Sequence, residues 1–151
     1  NITTMTNWRQ ELDEVFKSKG FEKKLPELSA KDGQSIQEFL DNIGKPAFEN
    51  ISDQLNSFND VKAEVEVSKR TNDAIIEDVE LHLFKQGQPK LAYRVKFTKR
   101  QEHIFIEGEY SIPNIYGENT RYHKTSLEQP LADITEEELA ADLAEVLRSR
   151  F

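Results

Sequence analysis

The sequence predicts an α+β fold, in which an antiparallel sheet of four to five strands carries N-terminal helices and a C-terminal helix packed on one face. Two observations predict it. Apolar residues recur with the helical period of about 3.6 residues at both ends of the chain, and with the strand period of two in the middle. A single domain over residues 1–151 is expected, because a chain of this length with 36% apolar residues can bury one core.

The first helix is predicted from a capping pattern. Asn7 and Gln10 have the spacing of a capping box, in which each side chain bonds the other residue's free backbone N–H. A short helix should therefore begin near Asn7 and end at Gly20. Its apolar face consists of Trp8, Leu12, Val15 and Phe16.

A second helix is predicted after a loop over residues 21–34. Ser35 and Glu38 repeat the capping-box spacing, and an apolar stripe continues from there to Leu55. Pro46 lies inside this stripe. Because proline has no N–H and clashes with the preceding turn, the helix should kink or restart near residues 44–46.

Alternating apolar and polar residues predict strands over 61–68, 75–83 and 90–97, with weaker candidates over 102–110 and 120–127. The tripeptide GQP at residues 87–89 is typical of a short hairpin loop.

The register of this hairpin follows from its expected centre. Pairing that is symmetric about Gln88 would place Glu80 opposite Lys96 and His82 opposite Arg94 on the solvent face. These polar pairs are then interpreted as a cross-strand ladder that sets register and solubility.

A final helix is predicted from residue 135 onward. Thr135 and Glu138 form a third capping-box pattern, and Ile134 and Leu139 can pack as a hydrophobic staple. The stripe that should face the sheet consists of Leu139, Leu143, Val146 and Leu147. We therefore expect one core that contains Val65, Leu81, Tyr93, Val95, Leu139 and Leu143.

Charge and composition exclude several functions. A net charge of −8 argues against nucleic-acid binding, which needs a basic surface. The absence of cysteine excludes disulfides, thiolate metal sites and cysteine nucleophiles. No catalytic motif is found, so the sequence predicts neither an enzyme nor a cofactor.

The histidines His82, His103 and His123 lie on different predicted strands. Their spacing does not match that of a zinc or di-metal motif, so the sequence predicts ordinary surface histidines and no metal site.

One basic segment interrupts the acidic chain. Residues 96–100, KFTKR, contain Lys96, Lys99 and Arg100, which are the candidate interaction residues. Such a cluster can contact anionic lipid headgroups or an acidic partner, although a solvated strand end is the plainer interpretation.

Three segments resemble the cytosolic C-terminal domain of betaine/carnitine/choline family transporters. Residues 8–12, WRQEL, resemble its opening W-R-x-x-L, and residues 46–48, PAF, resemble a P-A-hydrophobic step within a long helix. Arg121–Tyr122 followed by TEEELAADL at 135–143 is similar to its last strand and closing helix.

The resemblance implies a regulatory domain, excised from a longer bacterial chain, that adjusts choline or glycine betaine transport to osmotic or ionic conditions. It would lie at the cytoplasmic face of the inner membrane. Its partners would be the membrane domain of the same transporter or anionic lipid headgroups, and a homo-oligomer is possible. A stand-alone protein-interaction or chaperone-like domain, and a small-molecule-binding domain with a pocket between sheet and helices, remain alternatives.

Overall fold

The computed structural model describes residues 2–21, 28–69 and 77–151. The helices are α1 (Ile2–Ser18), α2 (Ala30–Phe39), α3 (Lys45–Leu55) and α4 (Glu136–Arg150), and the strands are β1 (Val61–Lys69), β2 (Glu77–Lys85), β3 (Gln88–Arg100), β4 (His103–Ser111) and β5 (His123–Pro130). The five strands form one antiparallel sheet in chain order. The predicted α+β fold is confirmed. Positions 22–27 of the predicted first loop and 75–76 of the predicted second strand lie outside the described residues.

The predicted starts of the first two helices are wrong. Helix α1 already begins at Ile2, so Asn7 lies within the helix and not at its N-terminus. Helix α2 begins at Ala30, because Ser29 caps it: its hydroxyl accepts from the Asp32 N–H at 3.1 Å. The Asp32 carboxylate accepts from the Ser29 N–H at 2.8 Å and completes the capping box. Ser35 is therefore inside the helix.

The interruption predicted at Pro46 is present as a wide turn. Residues Leu40–Gly44 form one π-helical turn between α2 and α3, and Pro46 lies in the first turn of α3. The wide turn accommodates Pro46, which has no N–H to donate, and the Lys45 N–H bonds the Leu40 carbonyl oxygen instead of the carbonyl of a regular α-turn. The apolar stripe thus runs through both helices, and Ile36, Leu40, Ala47 and Phe48 are all buried.

The predicted register of β2 and β3 is wrong by two residues. The hairpin turns at Gln86 and Gly87, whose φ angles of 52° and 79° suit a two-residue turn. The structure pairs Glu80 with Arg94 and His82 with Ala92. The register also shifts between Leu83 and Phe84, where the facing strand contains Pro89, which cannot donate a ladder hydrogen bond.

The core lies between the inner face of the sheet and helices α2, α3 and α4. Five of the six predicted core residues are at most 4% exposed, and Val65 is partly buried against them. The five are Leu81, Tyr93, Val95, Leu139 and Leu143. Helix α4 therefore lies where the sequence predicts it.

Helix α1 keeps its apolar face in solvent. Trp8, Leu12 and Phe16 are 54%, 52% and 57% exposed, and Val15 is also exposed. None of the described side chains of α1 belongs to the buried core. The helix therefore presents an apolar stripe that the rest of the described fold does not cover.

A buried polar cluster joins α4 to the sheet. The Tyr93 hydroxyl and the Thr125 hydroxyl both donate to Asp142 Oδ2 at 2.6 Å. Gly108 faces this cluster from β4, where the register of β4 and β5 shifts between Glu107 and Glu109. A Cβ atom at residue 108 would overlap both Asp142 Oδ2 and Thr125 Oγ1.

Replacing Gly108 with alanine should therefore destabilise the domain. The added methyl group must displace the Asp142 and Thr125 oxygens, which are hydrogen-bonded to each other, and overpacking of this kind costs about 1–3 kcal/mol of unfolding free energy. A chemical denaturation curve would measure the loss. A variant as stable as the wild type would contradict the close approach of α4 to β4.

Candidate functional site

The strand alternation of β3 divides the three predicted interaction residues between the two faces of the sheet. Lys99 shares the inner face with Val95 and Phe97, whereas Lys96 and Arg100 lie on the outer face. The structure therefore does not bring the three cations together on one surface.

Lys99 connects the sheet to helix α2. Its ammonium group lies 2.9 Å from Asp32 Oδ2, and the two side chains are only 18% and 13% exposed. The Ser29 N–H, followed by Lys99, holds the pKa of Asp32 below its ordinary value. Asp32 also caps α2, so the Lys99 ion pair stabilises the packing of α2 on the sheet. Lys99 is therefore not a free charge for a partner.

The two outer-face cations are also paired, to different degrees. Arg100 contacts Glu107 at 2.5 Å and Glu128, while its own side chain is 43% exposed. Lys96 is equally exposed, and its ammonium group lies 3.9 Å from Glu109 Oε1. Of the three predicted residues, Lys96 is therefore the most available to a partner.

Two carboxylates on the outer face of β4 are buried. Glu107 and Glu109 are 4% and 8% exposed, although they alternate with the apolar residues of the inner face. Arg100 and Lys124 neutralise Glu107, at 2.5 and 3.4 Å. The sequence prediction does not include these two residues. Their signal in the sequence is an alternation that matches Arg94 and Lys96 of β3, which they face across the sheet.

The segment after β4 returns across the outer face and brings Tyr122 over the sheet. The Tyr122 hydroxyl donates to Glu80 Oε1 at 2.5 Å. The Arg94 guanidinium stacks 3.4 Å from the centre of the tyrosine ring, and its Nε donates to Glu109 at 2.8 Å. Burial, with Glu80 beside the hydroxyl, raises the pKa of Tyr122.

His82 lies next to this network. Its Nε2 atom is 3.1 Å from Glu66 Oε2 and 3.6 Å from Glu80 Oε2. The Glu80 carboxylate, helped by Glu66 and Glu64, raises the pKa of His82 against the opposing effect of burial. Within residues 2–21, 28–69 and 77–151, this is the one cluster of three side chains that could hold a metal ion.

The other two histidines lie elsewhere. His103 and His123 are exposed at the starts of β4 and β5, and the His123 ring packs against Tyr110 at 5.4 Å. Neither belongs to the Glu66–Glu80–His82 cluster. Both fit the prediction of ordinary surface histidines.

An open cleft of about 570 Å³ lies between α2 and the adjoining ends of β3 and β4. Its walls include Asp32, Glu38, Lys99, His103 and Leu131. Asp32 and Lys99 are paired with each other, so these two charges of the cleft are compensated.

Comparisons with protein families, characterised proteins and solved structures found no match to this chain. Within the residues that the structure describes, no helix has the length and apolar character needed to cross a membrane.

Proposed function

We propose that the chain is a regulatory domain of a choline or glycine betaine transporter, and that it works by binding and not by catalysis. The resemblance of residues 8–12, 46–48 and 135–143 to the family's cytosolic domain supports this proposal. The single structural observation that carries it is the uncovered apolar stripe of α1. A helix with such a stripe gains stability from packing against another surface.

The charge of α1 favours a protein surface over a lipid surface as its partner. The helix contains two basic and three acidic residues, so anionic headgroups would repel it weakly. Its stripe of Trp8, Leu12, Val15 and Phe16 matches the spacing by which an amphipathic helix docks in a groove. We therefore propose the membrane domain of the same transporter as its partner.

Lys96 provides a second contact that responds to salt. Its side chain is 43% exposed and its ammonium group is 3.9 Å from Glu109 Oε1, so it can pair with an acidic group of another domain. Exposed pairs weaken as ionic strength rises, because the Debye length falls to about 10 Å at 0.1 M salt. The α1 contact and the Lys96 contact would shift a transporter between two states if each contact is stronger in one state than in the other.

The cleft beside α2 favours a second candidate function. A volume of about 570 Å³ is within the range of small-molecule sites, and polar groups line it beside Leu131. This observation supports the small-molecule-binding alternative. A stand-alone interaction domain would use the same α1 stripe and differs only in the identity of its partner.

Deleting residues 1–151 from the full-length protein should change the osmotic activation profile of transport in liposomes. Replacing Leu12 and Phe16 together with glutamate should reproduce most of that change, because it removes the apolar face of α1. Lys96→Ala should reproduce a smaller part. One exposed ion pair contributes about 0.2–1 kcal/mol, so the population should shift by less than about fivefold.

Lys62→Ala is the matched control for Lys96→Ala, since Lys62 is an exposed lysine of β1 paired with Glu64. It should leave the profile at the wild-type position. A parent chain without transmembrane segments, or transport that is indifferent to the deletion at every osmolality, would contradict the proposal. A ligand that protects Lys99 and His103 from chemical modification would instead support the small-molecule alternative.

A further inference from the structure

Two glutamates face each other across the edge of the sheet. Glu66 of β1 and Glu80 of β2 occupy directly opposite positions of the antiparallel pair. Like charges in that relation destabilise a sheet unless a cation lies between them. His82, two residues along β2, presents its Nε2 atom to the same space.

The three side chains are spaced as ligands of one metal ion would be. His82 Nε2 is buried and makes no hydrogen bond, although Glu66 Oε2 is only 3.1 Å away. Ligands about 2.0–2.2 Å from a tetrahedral zinc ion are separated from each other by about 3.3–3.5 Å. The separations of 3.1 and 3.6 Å between Nε2 and the two carboxylates bracket this value, and all three ligand atoms lie within 4.8 Å of one another.

A supporting contact orients one of the ligands. The Tyr122 hydroxyl binds Glu80 Oε1, which leaves Oε2 directed at His82. Hydrogen bonds of this kind to a ligating carboxylate commonly fix its geometry in metal sites. The nearby Arg94 guanidinium donates to Glu109 at 2.8 Å and is 3.9 Å from Glu80, so its charge is already compensated.

We propose that Glu66, Glu80 and His82 bind a divalent transition-metal ion of the zinc class. Two carboxylates and a neutral imidazole supply a charge of about −2, which matches the ion, and the mixed oxygen and nitrogen set suits zinc better than magnesium. Three protein ligands leave a fourth position for water. This inference departs from the sequence-based prediction of surface histidines, and it does not depend on the proposed regulatory function.

Zinc should raise the melting temperature of the intact chain. Measured by calorimetry at about pH 8, a zinc concentration one hundred times the dissociation constant should raise Tm by roughly 5–10 °C. Isothermal titration should give one zinc per chain. Magnesium at the same concentration should give no comparable shift, because it binds imidazole poorly.

Glu66→Gln tests the site with little effect on folding, since the Glu66 side chain is 64% exposed. It and His82→Ala should each weaken zinc binding roughly tenfold or more, and Tyr122→Phe should weaken it by roughly tenfold through the orientation of Glu80. His103→Ala and His123→Ala are the controls and should bind as the wild type does. No binding up to millimolar zinc, equal binding by Glu66→Gln, or an equal effect of magnesium would each overturn the proposal.

Discussion

Replacing Asp142 with alanine should lower the free energy of unfolding by about 2–5 kcal/mol. Asp142 Oδ2 accepts from Tyr93 and Thr125, and the Tyr93 side chain is fully buried. Removal of the acceptor leaves the buried Tyr93 hydroxyl without a partner, and an unsatisfied buried group costs about 1–3 kcal/mol. It also takes one hydrogen bond from the part-buried Thr125 hydroxyl, which still accepts from the Leu127 N–H. A denaturant melt of the purified chain would measure this loss.

Two variants separate the hydrogen bonds from the loss of side-chain volume. Asp142→Asn keeps a carbonyl oxygen that can accept, so it should lose less stability than Asp142→Ala. Glu145→Ala removes an exposed carboxylate from the same helix and should change stability by no more than about half a kcal/mol. An Asp142→Ala variant as stable as Glu145→Ala would show that the cluster does not hold α4 to the sheet.

Leu143→Ala should cost about 2–5 kcal/mol, because it deletes three buried carbon atoms and leaves a cavity. Leu143 is 2% exposed and lies in the core with Leu139 and Val146. The same denaturant melt would measure the change, with the slope of the transition as a check on the unfolded state.

Leu12→Ala is the matched control, since it makes the same chemical change on a side chain that is 52% exposed in α1. Its effect should be within about half a kcal/mol. A loss of comparable size in both variants would contradict the separation between the core and the apolar stripe of α1. A negligible loss in Leu143→Ala would contradict the position of α4.

The period of the apolar residues predicts most of this fold, because burial on one face imposes that period on any strand or helix. The alternation around Leu81 and Val95 predicts two strands, and the stripe of Leu139, Leu143 and Val146 predicts α4. Helix starts are less well determined. Ser29 and Ser35 both have an acidic residue three positions later, and the local pattern does not decide which serine caps the helix.

The hairpin register could not be derived from the alternation. A shift of two residues keeps every side chain on its own face, so the apolar pattern is the same for both registers. The turn decides between them, and it depends on the positive φ of Gln86, a residue with no strong preference for that conformation.

The same limit applies to the candidate site. The cluster of Glu66, Glu80 and His82 exists only in the register of β1 and β2 that places Glu66 opposite Glu80. The apolar pattern does not determine that register, so the sequence could not predict the cluster. Lys99 could have been placed correctly, because it alternates in phase with Val95 and Phe97. The burial of Asp142 could also have been predicted, because it is an acidic residue within the apolar stripe of α4.

The order of the strands has a consequence for how the chain folds. Each strand pairs with its neighbour in the sequence, so the sheet can form from successive antiparallel pairs that are close in the chain. Helix α4 must cross back from the end of the chain to reach Tyr93 in the middle strand. We expect the sheet to form in the transition state and α4 to dock after it, so that the Asp142 cluster slows unfolding while it has little effect on the folding rate.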